Sequence, residues 1–182
     1  MSKAIVYWYC GLSGSGKTTV TDELIKLLNE NNIRFKVFDG DIVREKHHKQ
    51  LDFSKSDILE NNRLISQMCV EHQNDNDIIL APIISPFNQS RDDAKRLIGE
   101  ENFRLIYFSA NLETVVERDV KGLYQKAKDG VIKEMIGFND NSPFEVPNNY
   151  DLNLNSGDLS VSPKTFAEKF FNLIESDLKS KT

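Results

Sequence analysis

Residues 11 to 18 read Gly-Leu-Ser-Gly-Ser-Gly-Lys-Thr, the full G-x-x-x-x-G-K-[ST] pattern of a phosphate-binding loop. The run before it, residues 4–10, is apolar, β-branched and aromatic, which predicts a buried strand. The run after it, residues 18–30, carries Val20, Leu24, Leu27 and Leu28 at helical spacing. Strand, glycine-rich turn and helix form the context in which such a loop works. The glycines let successive N–H groups turn inward toward phosphate oxygens, and the helix N-terminus adds partial positive charge. With glycine at ~7% of residues, chance would place the full pattern in well under about one chain in a hundred of this length. The loop predicts a nucleoside triphosphate site built by Gly11, Ser13, Gly14, Ser15, Gly16, Lys17, Thr18 and Thr19. Lys17 is expected to reach the β/γ-phosphates and Thr18 to offer its hydroxyl to Mg²⁺.

Beyond the first helix the pattern keeps alternating. Strands are predicted at 33–38, 77–84, 103–108 and 150–154, and helices at about 56–73, 89–99, 112–128 and 163–178, with Gly122 breaking the third. Residues 137–149 are rich in Pro, Asn and Asp and read as loop. Alternation of this kind predicts an α/β fold, a parallel five-stranded sheet with helices on both faces. The 182 residues suffice for one such domain with a substantial core and not for two.

A net charge of −5 disfavours a general nucleic-acid binder, which needs a basic face. The two cysteines, Cys10 and Cys69, form no C-x-x-C pair and suit a reducing compartment. The first apolar run, seven residues long, runs straight into the glycine loop and does not fit a signal peptide. No segment approaches the ~18 apolar residues of a membrane span. The expectation is a cytoplasmic protein with no membrane partner. His47 and His48, beside Lys49, lack ligand-like spacing and read as a surface cluster.

Ligands in open parallel sheets sit beyond the carboxyl ends of the strands. The polar residues at those ends are the glycine loop, Asp39 and Asp41, Ser85, and the charged run from Arg118 to Lys121. A phosphate cradle, two carboxylates, a hydroxyl and several cations are what phosphoryl transfer asks for. Taken alone, Asp39-Gly40-Asp41 is more simply a solvated turn, and each isolated cation a surface charge.

Several further blocks follow in order over roughly residues 5–150. They are Asp39-Gly-Asp-Ile-Val-Arg44, Phe53-Ser54 with Asp57, Glu60-Asn61 with Arg63, and Ile84-Ser-Pro-Phe87 with Arg91. Arg118-Asp-Val-Lys-Gly-Leu-Tyr124 with Lys126-Ala127, and Pro143-Phe-Glu145 with Pro147, complete the set. Together with the glycine loop they resemble adenylylsulfate kinases, which move the ATP γ-phosphate to the 3′-hydroxyl of adenosine 5′-phosphosulfate. The resemblance implies a single P-loop kinase domain over 1–182, with ATP and Mg²⁺ as cofactors and a lid at about 118–147. It implies Asp41 as base or hydroxyl-orienting group and Asp39 as a Mg²⁺ holder through water. It implies nucleotide contacts from Arg44, Asn61, Arg63, Ile84, Lys121 and Leu123, base stacking by Phe53, and ATP contact by Arg118. Ser85 corresponds to a phosphoserine or reserve-phosphoryl position; orienting the substrate is the expectation here, because direct transfer needs no covalent stop. Relatives often dimerise, so a homodimer is open.

The departures from the family pattern are specific. Ile58 and Leu64 stand where Arg is usual, Met135 stands in place of a stacking Phe, and Ser90 replaces an acidic residue. If Ile58 and Met135 line the acceptor pocket, one cation and one ring are missing. A lost charge-assisted bond to an anion costs about 1.5–3 kcal/mol, enough to change preference. Two readings remain: a divergent adenylylsulfate kinase, or a sister 3′-kinase for another 5′-modified nucleotide such as cytidine diphosphoramidate. A switch GTPase is disfavoured by the missing Asn-Lys-x-Asp motif. A non-catalytic nucleotide-binding regulator is disfavoured by the retained Asp41 and lid cations. Gluconate and shikimate kinases share the architecture but do not account for Ile-Ser-Pro-Phe together with Lys-Gly-Leu-Tyr.

Overall fold

Strand β1 (Ile5–Cys10) is buried along its whole length, so its alternate side chains must be covered on opposite faces of a sheet. Ile5, Tyr7 and Tyr9 pack with Val20, Leu24 and Leu28 of helix α1 (Lys17–Glu30) and with Phe166, Phe170 and Ile174 of helix α7 (Pro163–Ser180). Val6, Trp8 and Cys10 point the other way, onto Ile65 and Cys69 of α3 (Lys55–His72) and Ala94 and Ile98 of α4 (Asn88–Ile98). Each of the Val, Leu, Ile and Phe side chains among them contributes roughly 1.5–3 kcal/mol by leaving water. The computed structural model describes residues 3–47, 51 and 54–181, with backbone alone at 46 and 47. Phe53, His48 and Lys49 lie outside the described residues.

All strand pairs are parallel, in the order β2-β3-β1-β4-β5, with β2 (Phe35–Val37), β3 (Ile78–Ala81), β4 (Phe103–Phe108) and β5 (Leu152–Leu154). The edge strands β2 and β5 are shorter than the expected stretches 33–38 and 150–154. β3 stops at Ala81, short of the expected residue 84, because Pro82 has no N–H to continue the ladder. The chain tightens there, with the Ile83 N–H donating to Ala81 O at 2.9 Å.

Helix α2 (Gly40–His47) stands where a solvated turn was expected on composition. Asp39 starts it: its Oδ1 accepts from the N–H groups of Asp41 (3.0 Å) and Ile42 (3.2 Å). The helical stretch expected at 112–128 is two pieces, α5 (Leu112–Arg118) and α6 (Leu123–Lys128). The break falls at Asp119, φ +26°, and Gly122, φ +64°. The Asp119 carboxylate then caps α6 by accepting from the N–H groups of Tyr124 and Gln125, at 3.0 and 2.9 Å. Residues 137–149 carry neither helix nor strand.

Candidate active site

Chain order reverses between β1 and β3, and the crevice of such a sheet opens at that point. The Gly11 N–H donates to Ile84 O at 3.1 Å and ties the loop after β1 to the loop after β3. A side chain at Gly11 would run into Phe108 O at 2.8 Å, so the loop leaves the sheet by close backbone approach. Gly14 and Gly16 take φ of +74° and +86°, which turns consecutive N–H groups toward one point ahead of α1.

Lys17 folds back over this loop. Its Nζ donates to Leu12 O (2.7 Å), Gly11 O (2.9 Å) and Ser15 Oγ (3.3 Å). Burial pushes its pKa down to about 8, against the opposing pull of Asp41. The Tyr124 hydroxyl, reaching from α6, donates to Ser13 O at 3.0 Å and braces the loop from the far side.

From this loop a cleft of about 410 Å³ runs along the strand ends. Ser13, Gly14, Gly16, Lys17, Thr18 and Thr19 form one end. Asp39, Asp41 and Arg44 of the α2 region, with Ile58 and Asn61 of α3, form the other. Ile84, Ser85, Lys121, Leu123 and Met135 close it. Across its mouth, Lys121 Nζ bonds Asp41 Oδ2 at 2.5 Å, both side chains being largely exposed. Ser85 is 1% exposed and has φ +43°; its Oγ accepts from Trp8 Nε1 at 2.9 Å and from Asn62 Nδ2 at 3.4 Å. Ile58 packs with Phe87 and Ile136 in an apolar cluster at the cleft edge. Among the described lining residues the cations are Lys17, Arg44 and Lys121.

The remaining expected site residues stand elsewhere. Gly11 and Ser15 lie beneath the loop and shape it. Arg63 is exposed on α3 and forks onto Glu60, both bonds 2.7 Å, away from the cleft lining. Arg118 lies off the lining as well, its Nη2 donating to Ser156 O at 2.8 Å. Trp8, Asn62 and Tyr124 hold the site through single polar atoms. Only tertiary contact reveals them, although Tyr124 sits inside a block singled out by its sequence.

Thr18 and Asp39 share the cleft wall. Asp39 commits Oδ1 to the start of α2, which leaves its second oxygen for a cation or the cation's water. A hydroxyl and a carboxylate are hard oxygen donors of the kind Mg²⁺ takes.

The family model for adenylylsulphate kinase matches residues 3–155. An adenylyl-sulfate kinase of Prochlorococcus marinus is 38% identical over 176 residues, 97% of this chain and 86% of that protein. One of Halothermothrix orenii is 42% identical over 156 residues, 84% of this chain and 80% of that one. A Mycobacterium tuberculosis APS kinase, solved in complex with AMPPNP and APS, superposes with a TM-score of 0.89 at 31% identity, covering 96% of this chain and 99% of that chain. No helix among the described residues is long and apolar enough to cross a membrane.

Proposed function

The chain belongs to the adenylylsulphate kinase family, and on that premise we propose that it transfers the ATP γ-phosphoryl group to the 3′-hydroxyl of adenosine 5′-phosphosulfate. One observation carries the reading: a single cleft joins the phosphate loop to Asp41, Arg44, Asn61, Ser85 and Lys121. Donor and acceptor can therefore meet in one cleft, where positioning and electrostatics do most of the work.

Lys17 now rests on the carbonyls of its own loop. With a triphosphate bound it exchanges them for β/γ oxygens and balances the charge that spreads over the transferring group. Asp41 orients the acceptor hydroxyl and takes its proton as the new P–O bond forms, once Lys121 turns from it toward the nucleotide. Arg44 and Asn61 position the acceptor, and Ser85 orients it without forming a covalent intermediate. Thr18 and, through water, Asp39 would hold Mg²⁺, which would supply positive charge against the charge developing on the transferring group. Residues 118–147 act as the lid, with Arg118 leaving Ser156 to meet ATP as it closes. A cytoplasmic setting suits the buried free thiols of Cys10 and Cys69. Homodimer formation, implied by the family resemblance, belongs to the same proposal and is read by light scattering.

The test is identification of the product. After incubation with Mg-ATP and adenosine phosphosulfate, ³¹P NMR should show a new phosphomonoester coupled to H3′ of the ribose. A product phosphorylated elsewhere, or none, rejects the reading. A second acceptor class is favoured by one feature, the apolar packing of Ile58 with Phe87 and Ile136 beside Met135. A smaller pyrimidine base, as in cytidine diphosphoramidate, suits a wall that offers Met135 in place of a stacking ring.

A further inference from the structure

Ser85 adopts a left-handed φ of +43°, a region disfavoured for a residue with a side chain. The proline that follows it favours extended backbone at this position. Something must hold the turn, because Ser85 and Pro86 form part of the cleft wall. The Arg91 side chain, on a residue 3% exposed, sits behind them. Its Nη1 donates to Ser85 O at 2.6 Å, and its Nη2 to Asn88 Oδ1 (2.6 Å) and Glu145 O (2.7 Å). Glu145 closes the ring from the other side. Its N–H donates to Pro86 O at 2.8 Å, and its Oε2 accepts from the Asn88 N–H at 2.6 Å.

A guanidinium is buried at a cost, and it persists where its planar fork is matched by acceptors. Here the acceptors belong to the Ser85 turn, the first residue of α4 and the strap after residue 144. Arg91 itself does not line the cleft. We propose that Arg91 and Glu145 are positioning residues, a buried clamp that sets the Ser85 turn and through it the acceptor wall. The proposal rests on the reading of Ser85 as facing the acceptor nucleotide. The clamp also couples that wall to the end of the lid segment, since Glu145 follows directly on residues 137–144.

The chain carries its own reporter. Trp8 is the sole tryptophan, it is fully buried, and its indole N–H is bonded to Ser85 Oγ at 2.9 Å. A turn that relaxes changes the environment of that indole whether or not the enzyme turns over.

The test uses Arg91→Lys, which keeps the charge and loses the fork, and Glu145→Pro, which withdraws the N–H bonded to Pro86 O together with the carboxylate, on a half-buried loop position outside the core. Steady-state kinetics are run with acceptor and ATP varied separately, beside Trp8 emission without substrates. The expected result is a fall of about tenfold or more in kcat/KM for the acceptor, with the KM for ATP within about twofold of wild type. Both variants should also shift Trp8 emission while retaining a cooperative thermal transition. Equal losses for acceptor and ATP, or an unchanged acceptor kcat/KM in a folded variant, overturn the clamp. If Arg91→Lys does not fold, Glu145→Pro decides alone. If wild type phosphorylates no nucleotide, the functional reading has failed, and the Trp8 arm still judges the clamp: unchanged emission in both variants rejects it.

Discussion

At the scale of single residues the site is organised by what each polar atom gives up when ligands arrive. Lys17 is held by two backbone carbonyls and one hydroxyl, and burial lowers its pKa to about 8. The sign of the consequence follows: between about 8 and the ordinary lysine value the folded free protein has released a proton that the unfolded chain keeps, so this group makes stability rise with pH there. A bound triphosphate restores the proton. Calorimetry in buffers of different ionisation enthalpy should show wild type taking up more protons than Lys17→Ala on triphosphate binding above pH 8, a difference that nearly vanishes at pH 6.5. The same variant should fold normally and lose about a hundredfold or more in turnover. Asp41→Asn keeps the size and removes the charge. A fall in kcat of about 10²–10⁴ with little change in acceptor KM is expected, whereas a loss confined to KM would make Asp41 a binding group. Ser85→Ala should keep measurable turnover with a raised KM for the acceptor, as loss of an orienting hydroxyl requires, and complete inactivation would reopen the phosphoserine route.

At the scale of elements, the P-loop is braced from α6. Tyr124→Phe removes one hydrogen bond to Ser13 O, worth about 0.5–1.5 kcal/mol, so a rise of about two- to tenfold in the KM for ATP with the acceptor KM unchanged is expected from kinetics. The strand–loop–helix unit was legible in the chain because its constraints are local: β-branched residues, glycines where φ must be positive, and a 3.6-residue period. Helix α2 was not, since Asp39-Gly40-Asp41 has the composition of a turn and becomes a helix start only when Asp39 Oδ1 meets two N–H groups. The blocks of the cleft could be listed from the chain, yet Arg63 and Glu60, three residues apart, find each other and leave the cleft. Trp8 to Ser85 and Arg91 to Glu145 are contacts between segments far apart in sequence, and no periodicity encodes them. Ile58 on α3 and Met135 before the Gly137 turn form the cleft's apolar wall. Replacing them together, Ile58→Arg with Met135→Phe, should raise kcat/KM for adenosine phosphosulfate by about tenfold or more, each restored contact being worth on the order of 1–3 kcal/mol. A destabilised variant with unchanged preference, seen by thermal melts beside the kinetics, would make both residues packing elements only.

At the scale of the whole molecule, one parallel sheet covered on both faces brings the ends of β1, β2 and β3 and the segment after α5 to one cleft. The two faces divide the work: α1 and α7 seal one side, while α3 and α4 seal the other and α3 supplies Ile58 and Asn61 to the cleft lining. Residues 118–147 touch both regions, through Tyr124 on the P-loop and Glu145 on the Ser85 turn. A fold built this way commits its chemistry to joining two nucleotides across the strand ends. The direct measurement is ADP release from Mg-ATP with adenosine phosphosulfate and cytidine diphosphoramidate offered separately to the wild-type enzyme. Saturable ADP release with adenosine phosphosulfate, at a higher kcat/KM than with cytidine diphosphoramidate and lost in Asp41→Asn, is the predicted result. ADP release with cytidine diphosphoramidate and none with adenosine phosphosulfate would contradict it.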